Sequence, residues 1–266
     1  MDIREKFFLD RASGPIGVEV EVEGDDLPRR VDGWDTEHDG SLVGESREYV
    51  LSQPLTLVKA GEALDSLDQA YKNHGSVLCD SCRTSVHIHI NVQTLTPTQL
   101  FNFMTAYLVL EEMLVKFCGE SRVGNLFCLR VRDAEHSLDQ YVLAAKTREL
   151  HPLGDENIRY SAMNTNSVAK FGSLEFRAMR GGAGTRTIKI WMGLLFTLRN
   201  KSKEFANPQE IIKHVSSVGT RQFIRDLLGT RSIHLAMDSP NLDQMLFDGM
   251  RNAQDLAYAR ENWENF

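Results

Sequence analysis

Long apolar runs are missing from this 266-residue sequence. Its most hydrophobic stretch, around Tyr107-Leu108-Val109-Leu110, is far too short to span a membrane. The start, Met1-Asp2-Ile3-Arg4-Glu5-Lys6, is charged and leads into no apolar segment, so no secretory leader is expected and the expected location is cytoplasmic. Cysteine is scarce, with four residues. Cys79-Asp80-Ser81-Cys82 is a lone CxxC, and Cys118 and Cys128 make a poor second half for a zinc site, which draws its ligands from two close pairs. The four read as ordinary reduced thiols. An excess of positive charge is absent too. The net charge of −7 argues against a protein that coats nucleic acid, while leaving room for a locally held or modified nucleotide. No internal repeat and no low-complexity tract interrupts the chain.

What is present is the composition of a globular protein, 42% hydrophobic and 25% charged. The length is generous for one domain and short for two, which suggests a catalytic domain with an appendage. Residues 15–23 alternate valine with glutamate and predict a strand; 31–36 and 48–51 predict two more. Leu57, Ala60, Leu64, Leu67 and Tyr71 recur at helical spacing and predict a helix over 57–74, stopped by Gly75. Residues 84–92 read as a strand. Thr96-Pro97 opens a helix over about 98–118 with Thr96 as its cap. Residues 133–150 read as mostly helical, and 159–168 with 173–179 as a hairpin turning near Gly172. After Gly181-Gly182-Ala183-Gly184 comes a helix over about 186–204, and from Pro208 a helical tail broken at Gly219, Gly229 and Pro240. This order predicts an α+β fold, an antiparallel sheet backed on one face by helices.

Three strands carry polar residues on a single face, because strand side chains alternate. Glu19, Glu21 and Glu23 share one face, roughly 6.5–7 Å apart in sequence neighbours. Unpaired, such carboxylates repel and raise one another's pKa; a divalent cation removes the repulsion. His87 and His89 share a face, and neutral imidazole is a metal ligand. Glu175 and Arg177 pair a metal-type carboxylate with a guanidinium suited to phosphate. Arg159 and Arg180 would enlarge an anion-binding surface, and Arg122 could do so from its helix end. Alone, each pattern also fits a plainer reading: a solvated edge strand, two surface histidines, a cross-strand ion pair worth little if exposed.

Taken in order, the motifs resemble the amidoligases, carboxylate–amine ligases that share a catalytic fold with glutamine synthetase and glutamate–cysteine ligase. The resemblance rests on Gly17-Val18-Glu19-Val20-Glu21, Trp34 through Asp39-Gly40-Ser41-Leu42, and Glu48-Tyr49-Val50-Leu51-Ser52-Gln53-Pro54. It continues through Ser85-Val86-His87-Ile88-His89-Ile90, Ser121-Arg122, Arg159 to Asn164, Leu174-Glu175-Phe176-Arg177, Gly184-Thr185 and Trp191, and covers roughly 15–205. It departs at Cys82-Arg83-Thr84-Ser85, where the family pattern often has Cys-Gly, and at the shifted Gly181-Gly182 loop.

The resemblance implies a curved antiparallel sheet under an ATP funnel, with Mg²⁺ or Mn²⁺ held by Glu19, Glu21, Glu48, His87 and Glu175. Arg177 would contact phosphate, Arg159 phosphate or a substrate carboxylate, and His89, Arg180 and Arg122 would support the nucleotide. Residues 1–205 would form the catalytic domain and 206–266 a helical extension serving as cover, oligomer interface or partner-binding element. Expected substrates are a small-molecule or peptide carboxylate and an amine, joined through an acyl phosphate, with Glu23, Asp39 and Glu48 as candidate bases. The loops 37–46 and 181–186 are candidates for closing the site. A guanidino-kinase-like phosphotransferase, a catalytically silent nucleotide-binding module and a metal-dependent hydrolase remain alternatives, and a homo-oligomer is compatible with all of them.

Overall fold

A computed structural model describes residues 1–79, 81–264 and 266; Asp80 of the CxxC lies outside them. The elements run α1 (Ile3–Phe7), β1 (Ile16–Asp25), β2 (Trp34–Glu37), β3 (Ser46–Leu51), α2 (Leu57–His74), β4 (Val77–Leu78), β5 (Ser85–Asn91) and α3 (Pro97–Cys118). They continue with α4 (Glu135–Thr147), β6 (Met163–Asn164), α5 (Ser167–Phe171), β7 (Ser173–Arg180), α6 (Thr185–Ser202), α7 (Pro208–Val218), α8 (Thr220–Leu228) and α9 (Leu242–Ala257). Among the described residues the seven strands form one open antiparallel sheet in the order β2-β3-β1-β5-β7-β6, with β4 paired to the end of β1. The fold is α+β, as the element order predicts.

The alternation of β1 decides which way the sheet faces. Ile16, Val18, Val20 and Val22 are buried against helices, together with Tyr49, Val86, Ile88, Ile90, Leu174 and Phe176. Helix α3 crosses behind them, stacking Phe103 and Tyr107 on Phe176 at ring-centre distances of 5.6 and 4.9 Å. Helix α2 sets Tyr71 edge-on to Tyr49, and α6 reaches β5 where Arg199 donates to the Asn91 carbonyl. Local chemistry fixes the helix ends. Thr96 caps α3 in a reciprocal box with Gln99, Pro97 fills the first turn, and Gly75 closes α2 in a left-handed conformation at φ 77°. Helices α7 and α9 pack on α3 and α8 on α6, and one apolar core extends from Ile3 to Trp263. No described helix is long and apolar enough to cross a membrane.

The expected hairpin over 159–179 takes another form. Only Met163 and Asn164 join the sheet before the chain turns into α5. Asn164 accepts from the Asn166 amide and the Ser167 hydroxyl donates to the Ser173 carbonyl, so local polar bonds fold a helical turn where a strand would continue.

The β5–β7 pairing contains one irregularity. Val86 faces Met179 and Ile88 faces Phe176, so His87 stands opposite two residues, Arg177 and Ala178. Such a bulge re-aims side chains, and this one sits in the middle of the polar face.

Candidate active site

Cross-strand register turns the sequence motifs into rows on the face away from α3. One row runs Glu37, Glu48, Glu21; the next holds Val50, Glu19, His87 and the bulge; the third holds Gly17, His89, Glu175 and Asn164. Gly17 is required by its neighbour, since a Cβ there would stand 3.1 Å from the His89 Cβ. The glycine lets the His89 ring lean over β1.

Glu19 is the centre. Its Oε2 lies 3.0 Å from His87 Nδ1 and its Oε1 lies 3.0 Å from His89 Nε2. Burial pushes the Glu19 carboxyl up, but the hydrogen bonds and charges of the two histidines outweigh it and hold the group well below the usual carboxylate range. His89 moves the opposite way: burial works to lower it, and Glu19 raises it above the ordinary imidazole value. Its Nδ1 meets Ser173 Oγ at 3.1 Å.

His87 is 2% exposed in its side chain and belongs to a relay. The Ser85 amide and hydroxyl both donate to Glu21 Oε2, at 2.8 and 2.6 Å. With that single hydroxyl proton committed, His87 Nε2 must donate to Ser85 Oγ, 2.8 Å away. His87 Nδ1 stands 3.0 Å from Glu19 Oε2 and 3.4 Å from Glu175 Oε1. Carboxylates and imidazoles converging in this way form a ligand set for a cation that would take the place of the protons they share. Two such sets occur among the described residues: Glu19, Glu48 and His87, and Glu19, His89 and Glu175, each with ligand atoms within 4.8 Å of one another. The carboxylates of these sets suit Mg²⁺ or Mn²⁺, for the first of which imidazole is a less usual ligand than oxygen.

Arg177 binds Glu175 directly and lies 3.5 Å from His87 Nδ1. Burial alone would raise Glu175, yet Arg177 and the histidines bring it below its ordinary value. Asn164 donates to its second oxygen at 2.7 Å. Among the described residues Glu48 has no such partner: burial first, then the Glu19 charge, pushes it up to about 7.

Two hollows flank this cluster. One, about 200 Å³, reaches from Glu19 and His89 between Pro15, Val50, Pro54 and Phe171 and has mainly apolar walls. The other, about 490 Å³, is bounded by Glu21, Ser85 and Arg177, with Arg83, Arg159 and Asp39 around it.

The expected site residues divide accordingly. Glu19, Glu48, His87, His89, Glu175 and Arg177 come together, and Arg159 lines the second hollow. Glu21 holds Ser85, and Glu23 accepts the Val43 amide at 2.9 Å, fixing the 37–46 loop. Arg122 and Arg180 lie elsewhere. Arg122 is fully buried and donates to the carbonyls of Arg177, Ala178, Cys82 and Thr84. Arg180 donates to the Cys118 carbonyl at 2.9 Å. Arg122 is therefore spent on backbone, and Arg180 lines neither hollow. Ser85, Asn164, Ser173 and Arg83 were given no role by the spacing argument, although Ser85 shares the parity of His87 and Asn164 stands opposite Glu175.

The family model described as "Putative amidoligase enzyme" matches residues 18–198, more than half of the chain. The chain belongs to this amidoligase family. Membership places it among ligases, and the matched span holds every member of the two ligand sets and both hollows except the first few residues lining the apolar one. No curated protein matches the chain.

Proposed function

We propose that this amidoligase is ATP-dependent and joins a carboxylate to an amine through an acyl phosphate. The observation that carries the reading is the pair of ligand sets sharing Glu19, with Arg177 beside them, between an apolar hollow and an arginine-lined one. A nucleotide base fits the apolar side, where Phe171 offers a 60% exposed ring, and the acid fits the arginine side. Mg²⁺ or Mn²⁺, held by Glu19, Glu48 and His87 and by Glu19, His89 and Glu175, would draw phosphate oxygens together and offset their charge.

The chain's own residues then have distinct tasks. Arg177 stabilises charge on the phosphoryl group as the substrate carboxylate oxygen attacks the γ-phosphorus and the bond to ADP breaks. The amine nitrogen next attacks the acyl carbon, phosphate leaves, and one proton must be taken from the nitrogen. Of Glu23, Asp39 and Glu48, Asp39 is the acid that lines the arginine-side hollow, so it is the proposed acceptor. Water must be kept from the acyl phosphate, and the 37–46 loop that carries Asp39 is the element placed to do so.

The test is product mass spectrometry after incubation with ATP, Mg²⁺ and cell extract, with hydroxylamine as a trap. The expected product is lighter than its two substrates by one water, with hydroxamate formed in the trapped reaction. Glu19→Gln should lower its formation about a hundredfold or more. A stable phosphorylated compound without hydroxamate, or no ATP-dependent product, would sink the proposal.

A further inference from the structure

The arginine-side hollow holds two guanidiniums with no carboxylate partner among the described residues. Three arginines line it, in a chain whose net charge is −7. Arg177 is neutralised by Glu175. Arg83 donates through Nη1 to the Ser41 carbonyl at 3.2 Å. Arg159 donates through Nη2 to the Tyr160 hydroxyl at 2.7 Å and lies over that ring, 4.7 Å from its centre. Among the described residues neither Arg83 nor Arg159 has a carboxylate within salt-bridge distance. The acids of the hollow keep their charges but bond elsewhere, Glu21 to Ser85 and Asp39 to the Ser41 amide at 2.7 Å.

The two free guanidiniums come from different segments, one before β5 and one before β6, and Phe127 stands edge-on to Tyr160 at 6.1 Å beside them. A carboxylate awaiting activation must approach the ligand sets, where Arg177 already serves the phosphate side. Were that carboxylate the acid's only charge, Arg83 and Arg159 would face a neutral remainder. Guanidinium forks instead match carboxylate or phosphoryl oxygens.

Resting on the ligase reading, we propose that the acid substrate bears a second anionic group, carboxylate or phosphoryl, gripped by Arg83 and Arg159 while the first carboxylate is activated near Arg177. Arg83 and Arg159 are thus specificity-determining residues, and the acid is a dianion joined by a short chain that crosses the Phe127–Tyr160 wall.

The test is calorimetric titration of the full chain with Mg²⁺ and a non-hydrolysable ATP analogue, using butyrate, glutarate and 4-phosphonobutyrate as probes at constant ionic strength. At least one dianion should bind about tenfold or more tightly than butyrate. Arg83→Ala and Arg159→Ala should each erode that preference, and the double variant should bind all three probes alike with an unchanged melting temperature. The stronger dianion names the second group. Equal binding of the three probes by the wild type, or a preference that survives in the double variant, overturns the proposal. The analogue's own isotherm keeps the two readings apart: absent nucleotide binding counts against the ligase reading, whereas nucleotide binding without dianion preference counts against this one alone.

Discussion

The two faces of the central sheet are built from the same strands and obey opposite rules. On the helix side Val18, Val20, Val86, Ile88 and Phe176 are interchangeable in kind: each buried aliphatic contributes about 2 kcal/mol, wherever it sits on that face. On the open side Glu19, Glu21, Glu48, His87, His89 and Glu175 are not interchangeable, because each hydrogen bond fixes a particular proton or lone pair. The open face also buries like charges: burial first, then the Glu19 charge, raises Glu48. Its arrangement costs free energy that the apolar face offsets. A strand can serve both ends because its period is two, and a one-residue slip would exchange them.

Three substitutions test how far this division holds, beginning with the largest expected effect. Arg122 reaches the sheet from the turn after α3 and is the cation that violates the apolar rule. Arg122→Ala removes a donor from four carbonyls, of which Cys82 keeps Asn125 Nδ2 and Thr84 keeps the Gly181 amide, and should cost about 4 kcal/mol in urea unfolding. Lysine should not restore it, since an ammonium cannot reproduce the fork. A loss below about 1 kcal/mol would mean that other donors, water included, satisfy those carbonyls.

Glu111 is the acid that violates the same rule. It lies buried on α3 and accepts the Val131 amide at 3.0 Å through one oxygen, and its other oxygen has no partner among the described residues. Burial pushes it up to about 8 from an ordinary 4.5. Below the lower value both states hold the proton. Between the two values only the unfolded chain releases it, so the native state loses about 1.4 kcal/mol per pH unit, and above the upper value the loss is complete. Glu111→Gln keeps the acceptor without the proton. Its stability advantage should therefore grow by about 2 kcal/mol between pH 6 and pH 8, measured by urea unfolding at both; a constant difference would remove Glu111 from the list of exceptions.

The third substitution concerns the packing layer itself. A Cβ on Gly249 of α9 would stand 2.4 Å from the Val109 carbonyl oxygen and 2.6 Å from that of Leu108, both backbone of α3. Gly249→Ala should cost about 1–3 kcal/mol by forcing α9 away from α3, read as a lower thermal midpoint. Activity per folded molecule should stay unchanged, because the open face is not touched; a fall in specific activity would show that the faces are mechanically linked.

Much of this was legible in the sequence where period or capping alone decides the outcome. The Glu-Val alternation set the ligand face of β1, and Thr96-Pro97 and Gly75 marked helix ends that the structure keeps. What strict spacing could not give was parity beyond the bulge. Counting by twos from Glu175 puts Met179 on the open face, but Met179 is fully buried and Arg180 stands opposite Ser85. Nor could spacing sort the arginines. Arg122, Arg177 and Arg83 look alike as letters, and only the carbonyls, carboxylate or open hollow around each separates a strut from the proposed phosphate ligand and the proposed substrate grip. Arg83 stood out earlier only as a departure from the family's pattern.

Arg122 also determines which wall of the furrow can move. Its one planar group is bonded both to the Cys82–Thr84 segment that carries Arg83 and to the bulge that carries Arg177. The backbone on that side behaves as an anvil, two segments held as one piece by a single side chain. The opposite wall is tied differently, the 37–46 loop through Glu23, Arg83 and Glu45, and Arg159 by its own neighbour Tyr160. Under the proposed reading, accommodation of acids of different length falls to that wall, and the anvil sets the shortest one.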